Sequence, residues 1–379
     1  MKLRKLSVEK FRCLRHVDLP IRDLSVLIGT NASGKSTLLD ALRFLKEAVS
    51  ERDFVAPVRR RGGMNHLAWK GEVAHEILLE TTFSIDGGKI AWLVQLQKMG
   101  FDFAVQEETV SRQFENHPSE ELLKVKNGRG SWWSDSKATT VRVNTTPTAC
   151  TMAAAAADDG FPARLIADTI SKWTSFDPVP ELIRRGWTVS EEGLGLDQFG
   201  RKLPAILYQL QANDKPAFDR VLAATRSILG VPEAIAVRKD EEEERFYFVQ
   251  HEAGLTYPVH QLGASAGTLR VLALMTALHG GSGAASLVTI EEPENYVHPG
   301  ALEALADNLR QASVNTQIIL TTHSPLLLDF FSPEDVCVVK RSNEGTEVYP
   351  ESDATAVRKA LEEAGFGLGA FHETKGFGG

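Results

Sequence analysis

Cysteine, long apolar runs and excess positive charge are all scarce in this sequence, and each scarcity excludes something. The 379 residues include 3 cysteines. Cys13, Cys150 and Cys337 lie far apart with no metal-ligand spacing, so the pattern is that of reduced thiols in a cytosolic protein, without a disulfide framework or a cysteine metal centre. No segment reaches the roughly 18 consecutive apolar residues of a membrane span. Met1 to Lys10 alternates charged and apolar residues where a signal peptide would be continuously apolar. A cytoplasmic chain with no membrane part is therefore expected. Asp and Glu (50) outnumber Lys and Arg (42), for a net charge of -8, so any contact with DNA has to come from a local patch. No internal repeat and no sustained heptad is visible, which rules out solenoids and long coiled-coil arms.

What remains is globular: 43% hydrophobic and 24% charged residues, enough for one large domain or two ordinary ones. Leu3 to Lys10 and Val17 to Leu19 read as strands, and the compact apolar run Leu24 to Ile28 as a buried one. Ser36 to Val49 reads as a helix, with Leu38, Leu42, Leu45 and Val49 on one face. The basic run Arg59-Arg60-Arg61-Gly62-Gly63 reads as a solvated loop. Ile77 to Phe83 and Ile90 to Leu96 flank a hairpin turn at Asp86-Gly87-Gly88, and further hairpins are expected over 112–148. Residues 160–230 are mostly helical in pattern, and strands return at Ala234 to Val237 and Phe246 to Val249. The acidic run from Asp240 to Glu244 between them reads as a hairpin tip. A final alternation follows: strand Leu287 to Ile290, helix Ala301 to Ala312, strand Gln317 to Thr322, strand Val336 to Lys340. The expected fold is α/β, with a mixed sheet core, a β-hairpin region and a helical lobe. Residues 1–150 with 281–379 would form the nucleotide-binding lobe, and 151–280 the helical lobe.

Gly29-Thr30-Asn31-Ala32-Ser33-Gly34-Lys35-Ser36 fits G-x-x-x-x-G-K-[ST], with Thr37 next. The chemistry needs these residue types. Glycines let the backbone curl until its N–H groups face phosphate oxygens, and the helix start adds partial positive charge. Lys35 reaches the β- and γ-phosphates, and Ser36 offers a hydroxyl to Mg²⁺. A second motif, Glu291-Glu292, ends the apolar strand Leu287 to Ile290, at the strand end where α/β sheets bind ligands. Glu291 suits Mg²⁺, and Glu292 suits the role of orienting the attacking water. Adjacent carboxylates repel, so a cation beside them is the natural explanation. His323, at the end of the next strand, could sense a γ-phosphate. Ser265, before an apolar helix, reads as an N-cap.

In this order the four pieces resemble the ABC ATPase superfamily, and within it the RecF, SMC and OLD-nuclease branch. Phe11-Arg12, Gly29-Thr30-Asn31, Glu291-Glu292-Pro293-Glu294-Asn295 with His298-Pro299, and Thr321-Thr322-His323-Ser324-Pro325 all look like that branch. So do Leu196 to Leu207 and the glycine-rich end, Gly365 to Gly379. The resemblance implies that Ser265 and Gly267 belong to the signature loop, which contacts the γ-phosphate held by a second subunit. It implies a switch role for His323 and nucleotide contact for Arg12. There are departures: Ala264 replaces a usual leucine, Glu291 the commoner aspartate, and Ala32 a frequent glycine.

The implied cofactors are ATP and Mg²⁺, and the implied assembly is a head-to-tail, ATP-dependent homodimer. One reading is an ATPase that controls a separate DNA-acting effector, such as a nuclease, in defence. In its favour, the residues after His323 are too few for the nuclease domain of OLD proteins. A RecF-like repair ATPase, a soluble transporter subunit and a structural non-enzyme remain as alternatives.

Overall fold

The computed structural model describes residues 1–70, 75–100, 102–185, 195–240, 245–281, 285–350 and 367–373. Residues 241–244 of the acidic run, and residues 365, 366 and 374–379 of the glycine-rich end, lie outside the described residues. By contacts the chain forms two compact units, Met1–Trp173 with Val336–Ser352, and Thr174–Asp335 with Asp353–Gly379.

The first unit opens with β1 (Lys2–Phe11), β2 (Leu14–Pro20) and β3 (Leu24–Ile28), then α1 (Lys35–Glu51), α2 (Val55–Arg60) and α3 (Met64–Leu67). Six strands follow: β4 (Glu76–Ile85), β5 (Gly88–Met99), β6 (Asp102–Phe114), β7 (Glu120–Lys126), β8 (Arg129–Ser134) and β9 (Thr139–Asn144). Two helices, α4 (Thr151–Ala155) and α5 (Arg164–Ser171), come next. One antiparallel sheet runs in the order β2-β1-β4-β5-β6-β7-β8-β9. Burial in β4 and β5 alternates residue by residue, as a sheet with one covered face requires. The hairpins expected over 112–148 are β6 to β9. The five consecutive alanines Ala153 to Ala157 begin inside α4.

The second unit starts within β10 (Trp173–Phe176) and continues with α6 (Pro180–Arg185), α7 (Leu203–Asn213) and α8 (Lys215–Leu229). The mostly helical pattern of 160–230 concealed β10, which is only 4 residues long and too short to show a period. The hairpin β11 (Ala234–Asp240) and β12 (Arg245–His251) pairs with β13 (Val259–His260). Then come α9 (Ala266–His279), β14 (Leu287–Glu291), α10 (Leu302–Ser313), β15 (Gln317–Thr322) and α11 (Pro325–Leu328). β14 and β15 are parallel, in register from Leu287↔Gln317 to Glu291↔Thr321. All of β15 is buried, and β14 is buried up to Glu291.

The chain then rejoins the first unit through β16 (Val336–Ser342) and β17 (Gly345–Pro350). β16 pairs parallel with β3, whose 5 residues are all buried. Buried parallel strands read as near-continuous apolar runs, and the apolar stretches within β3, β14 and β15 made these strands legible.

The basic run at 59–63 is corrected by the structure. Arg59 and Arg60 close α2, and Arg61 is buried at 9% exposure. Its guanidinium donates to Asp40 and Glu47 of α1 at 2.9 and 2.7 Å, so a paired charge replaces the expected solvated loop.

Candidate functional site

In the first unit, β3 runs into the loop Gly29–Gly34 and on into α1. Gly29 has φ 153° and Gly34 φ 114°. A Cβ on Gly29 would sit 2.0 Å from the Val339 carbonyl oxygen, and one on Gly34 would sit 2.6 Å from Thr346 Oγ1. Both positions therefore exclude a side chain for two reasons, conformation and space. Ala32 adopts φ 61°, where a Cβ costs energy that glycine would not. Gly34 caps α1 without a side-chain hydrogen bond of its own to the first turn. Lys35 Nζ donates to the carbonyls of Gly29 and Thr30 at 2.7 and 3.0 Å, which fixes its ammonium over the loop. Ser33 is buried, and its carbonyl accepts from Thr346 Oγ1 at 2.8 Å. Thr37 Oγ1 accepts from the Cys13 thiol at 3.3 Å, which brings the turn after β1 against the start of α1. Next to Cys13, Arg12 has φ 51° and pairs with Asp40 Oδ2 at 2.9 Å. The structure thus gathers Arg12 and residues 29–37 around the start of one helix.

In the second unit the paired glutamates and His323 come together at the carboxyl ends of β14 and β15. Glu292 has φ 46°, a left-handed conformation that a bulky side chain seldom adopts. The surroundings enforce it. Its N–H donates to the Thr321 carbonyl at 3.0 Å. Arg270, in α9 and 3% exposed, donates to the carbonyls of Glu291 and Glu292 at 2.7 and 3.1 Å. The Glu292 carboxylate is aimed from both sides. Asn295 Nδ2 donates to Oε2 at 2.7 Å, and His323 Nε2 lies 3.8 Å from Oε1. Glu292 and His323 stay 40% and 33% exposed, so solvent reaches the pair. Glu294 Oε1 accepts from Thr322 Oγ1 at 2.7 Å and from the His323 N–H at 3.2 Å.

Ser265 is the N-cap of α9, as its position suggested: its Oγ accepts from the Thr268 N–H at 3.0 Å. Gly267 follows, and a Cβ there would be 2.5 Å from the Tyr296 carbonyl oxygen. The loop after Glu292 therefore lies directly on the start of α9. Sequence reasoning missed Asn295, Arg270 and Asp40 as partners of the site. Asn295 had a signal, an amide three residues after the glutamate in a turn. Arg270 and Asp40 had none, because their partners are set by packing.

Among the described residues, no cluster of three His, Cys, Asp or Glu side chains is placed to hold a metal. Magnesium prefers one or two protein oxygens completed by phosphate oxygens and water, and the Ser36 hydroxyl of the first unit and the Glu291 carboxylate of the second are each oxygens of that kind. No helix among the described residues is long and apolar enough to cross a membrane.

Residues 1–135 match the family described as "AAA ATPase domain", and residues 163–329 the family described as "AAA domain, putative AbiEii toxin, Type IV TA system". A solved SMC head bound to the C-terminal winged-helix domain of ScpA superposes with a TM-score of 0.54 at 14% identity, covering 92% of this chain and 98% of that one. An SMC head with an extended coiled coil, from Pyrococcus furiosus and bound to the C-terminal domain of ScpA, gives 0.51 at 14% identity, covering 96% and 100%. The chain has the α/β fold of an ABC-type ATPase head. Both families it matches are described as AAA-type ATPase domains. Over 40 residues it is 45% identical to an OLD nuclease from Thermus scotoductus, a stretch of 11% of this chain and 8% of that protein.

Proposed function

We propose that this chain binds Mg-ATP between two copies of itself, hydrolyses it, and by that cycle controls a separate effector that acts on DNA. Lys35, Ser36 and the backbone of residues 29–34 hold the phosphates, with Thr37 and Arg12 beside them. Ser36 and Glu291 serve the magnesium ion, which when bound neutralises phosphate charge. Glu292 orients the attacking water and takes its proton. His323 donates to the γ-phosphate and so registers its loss. Ser265 and Gly267 of the other copy close over the nucleotide. Catalysis is positioning and charge stabilisation, with no covalent step on the protein.

The observation that carries this reading is the left-handed Glu292, with its carboxylate between Asn295 and His323, in a chain that also holds a glycine-built phosphate loop. Effector control in defence draws on the short likeness to an OLD nuclease and on the second matched family, whose description includes a toxin of a Type IV TA system. Solved SMC heads bound to ScpA domains supply the precedent for a head that holds a partner protein.

The test is nucleotide binding and phosphate release by the wild-type protein and Lys35→Ala, with magnesium. Micromolar ATP binding lost at least about a hundredfold in the variant is the expected result, since a charge-assisted contact to phosphate disappears. Equal affinity in the two proteins would end the phosphate-loop assignment.

A further inference from the structure

The end of β14 and the loop after it carry three carboxylates in four residues, Glu291, Glu292 and Glu294, and the proposed chemistry uses only two. Like charges so close repel, so the third is costly to keep unless it has work to do. Its contacts show what that work is. Glu294 Oε1 accepts two hydrogen bonds, from the Thr322 hydroxyl at 2.7 Å and from the His323 N–H at 3.2 Å. Its Oε2 is buried with no hydrogen-bond partner among the described residues, so the polar work of the side chain lies at Oε1. Thr322 Oγ1 in turn accepts from the Ser324 N–H at 3.0 Å, which extends the hold to the residue after the histidine. In the opposite direction, Glu292 N–H donates to the Thr321 carbonyl at 3.0 Å. The two strand-end loops are therefore laced together, and the imidazole of His323 lies 3.8 Å from Glu292.

We infer that Glu294 is a positioning residue that acts through His323, its carboxylate clamping the backbone of the 322–324 turn so that the imidazole faces the Glu292 carboxylate. This rests on the reading of Glu292 and His323 as the hydrolytic pair. A carboxylate suits the clamp because one of its oxygens can accept from a hydroxyl and a backbone N–H together. An amide oxygen can do the same, so glutamine replaces the clamp while alanine removes it. Among the described residues, the hydrogen bonds of the Glu294 side chain go to Thr322 and His323 and none goes to the phosphate loop. Loss of that side chain should therefore act on turnover and leave phosphate binding by the Lys35 loop intact.

The experiment uses the full chain in two arms. In the first, steady-state ATP hydrolysis is compared for wild type, Glu294→Ala, Glu294→Gln, His323→Ala and the Glu294→Ala/His323→Ala double variant. Expected are a kcat lowered roughly 10- to 100-fold in Glu294→Ala with KM within about twofold, the scale of a misplaced catalytic group. Glu294→Gln should restore kcat to within about threefold of wild type. The double variant should be no slower than His323→Ala alone, because the two residues act as one unit. In the second arm, without nucleotide, the amide resonance of His323 is followed by NMR in ¹⁵N-labelled protein. It should sit downfield in wild type and Glu294→Gln and move upfield in Glu294→Ala. Wild-type kcat in Glu294→Ala, additive losses in the double variant, or an unmoved His323 amide would each overturn the clamp. A wild-type protein that hydrolyses no ATP would refute the proposed function, and the amide resonance would still decide the clamp.

Discussion

At the scale of single residues, two buried carboxylates show how the partner decides the behaviour of the group. Asp40 is 3% exposed and faces the guanidiniums of Arg61, Arg43 and Arg12 at 2.9, 2.6 and 2.9 Å. Burial pushes its carboxyl up, but the hydrogen bonds and charges of Arg61 and Arg43 outweigh that and hold it below the ordinary 3.8. Glu108 is also buried, and its partners are the Trp92 indole N–H at 3.0 Å and the N–H groups of Thr151 and Met152 at 2.7 and 2.9 Å. There burial wins and the carboxyl rises above its ordinary 4.5. The consequences for stability have opposite signs. Because Asp40 titrates lower in the folded chain than in the unfolded one, its contribution is present above about pH 4 and is lost as pH falls through the folded value. Asp40→Asn leaves buried Arg61 short of a counter-charge and should cost about 3 kcal/mol at neutral pH. Arg12 and Arg43 are about a third exposed and add less, since water screens them. Denaturant melts should show a constant gap between wild type and variant from about pH 7 to 5, closing at lower pH. A gap that widens in acid would contradict the arrangement.

At the scale of elements, α9 links the proposed signature loop to the paired glutamates. Ser265 caps its start, Gly267 lies beneath the Tyr296 carbonyl, and Arg270 holds the carbonyls of Glu291 and Glu292. On propensity alone, Gly267→Ala should stabilise a helix by up to about 1 kcal/mol. The contact at 2.5 Å reverses the sign, because the added methyl meets a backbone oxygen that cannot rotate away. The expected result is a net loss of about 1–3 kcal/mol, read as a lower melting temperature. A higher melting temperature would show that α9 and the 294–298 loop are not in contact.

At the scale of the whole molecule, the proposed cycle makes the oligomeric state depend on the nucleotide. Glu292→Gln keeps the shape and the hydrogen bond from Asn295 while removing the proposed base, so ATP should bind and persist. Size-exclusion chromatography with light scattering should then show a dimer of this variant in Mg-ATP and a monomer in ADP. Wild type should be dimeric only transiently. A variant that hydrolyses ATP at the wild-type rate would remove Glu292 from its role, and one that stays monomeric in ATP would remove the dimer.

The sequence alone determined the parts of this protein that are local. Four of the five residues from Leu24 to Ile28 are apolar because β3 is buried on both faces, and the glycines at 29 and 34 are required because the loop between β3 and α1 curls tightly. Both facts are written in adjacent residues, so periodicity and spacing reveal them, as they do β14, β15 and the N-cap at Ser265. Only the tertiary structure decided the pairings between distant residues: Arg61 with Asp40, 21 positions away, Arg270 with the carbonyls of Glu291 and Glu292, and Glu294 with Thr322 and His323, 28 and 29 positions on. An arginine or a carboxylate can satisfy itself with many partners or with water. Its partner is chosen when strands pair in register and helices pack, and that choice leaves no mark on the neighbouring letters of the chain.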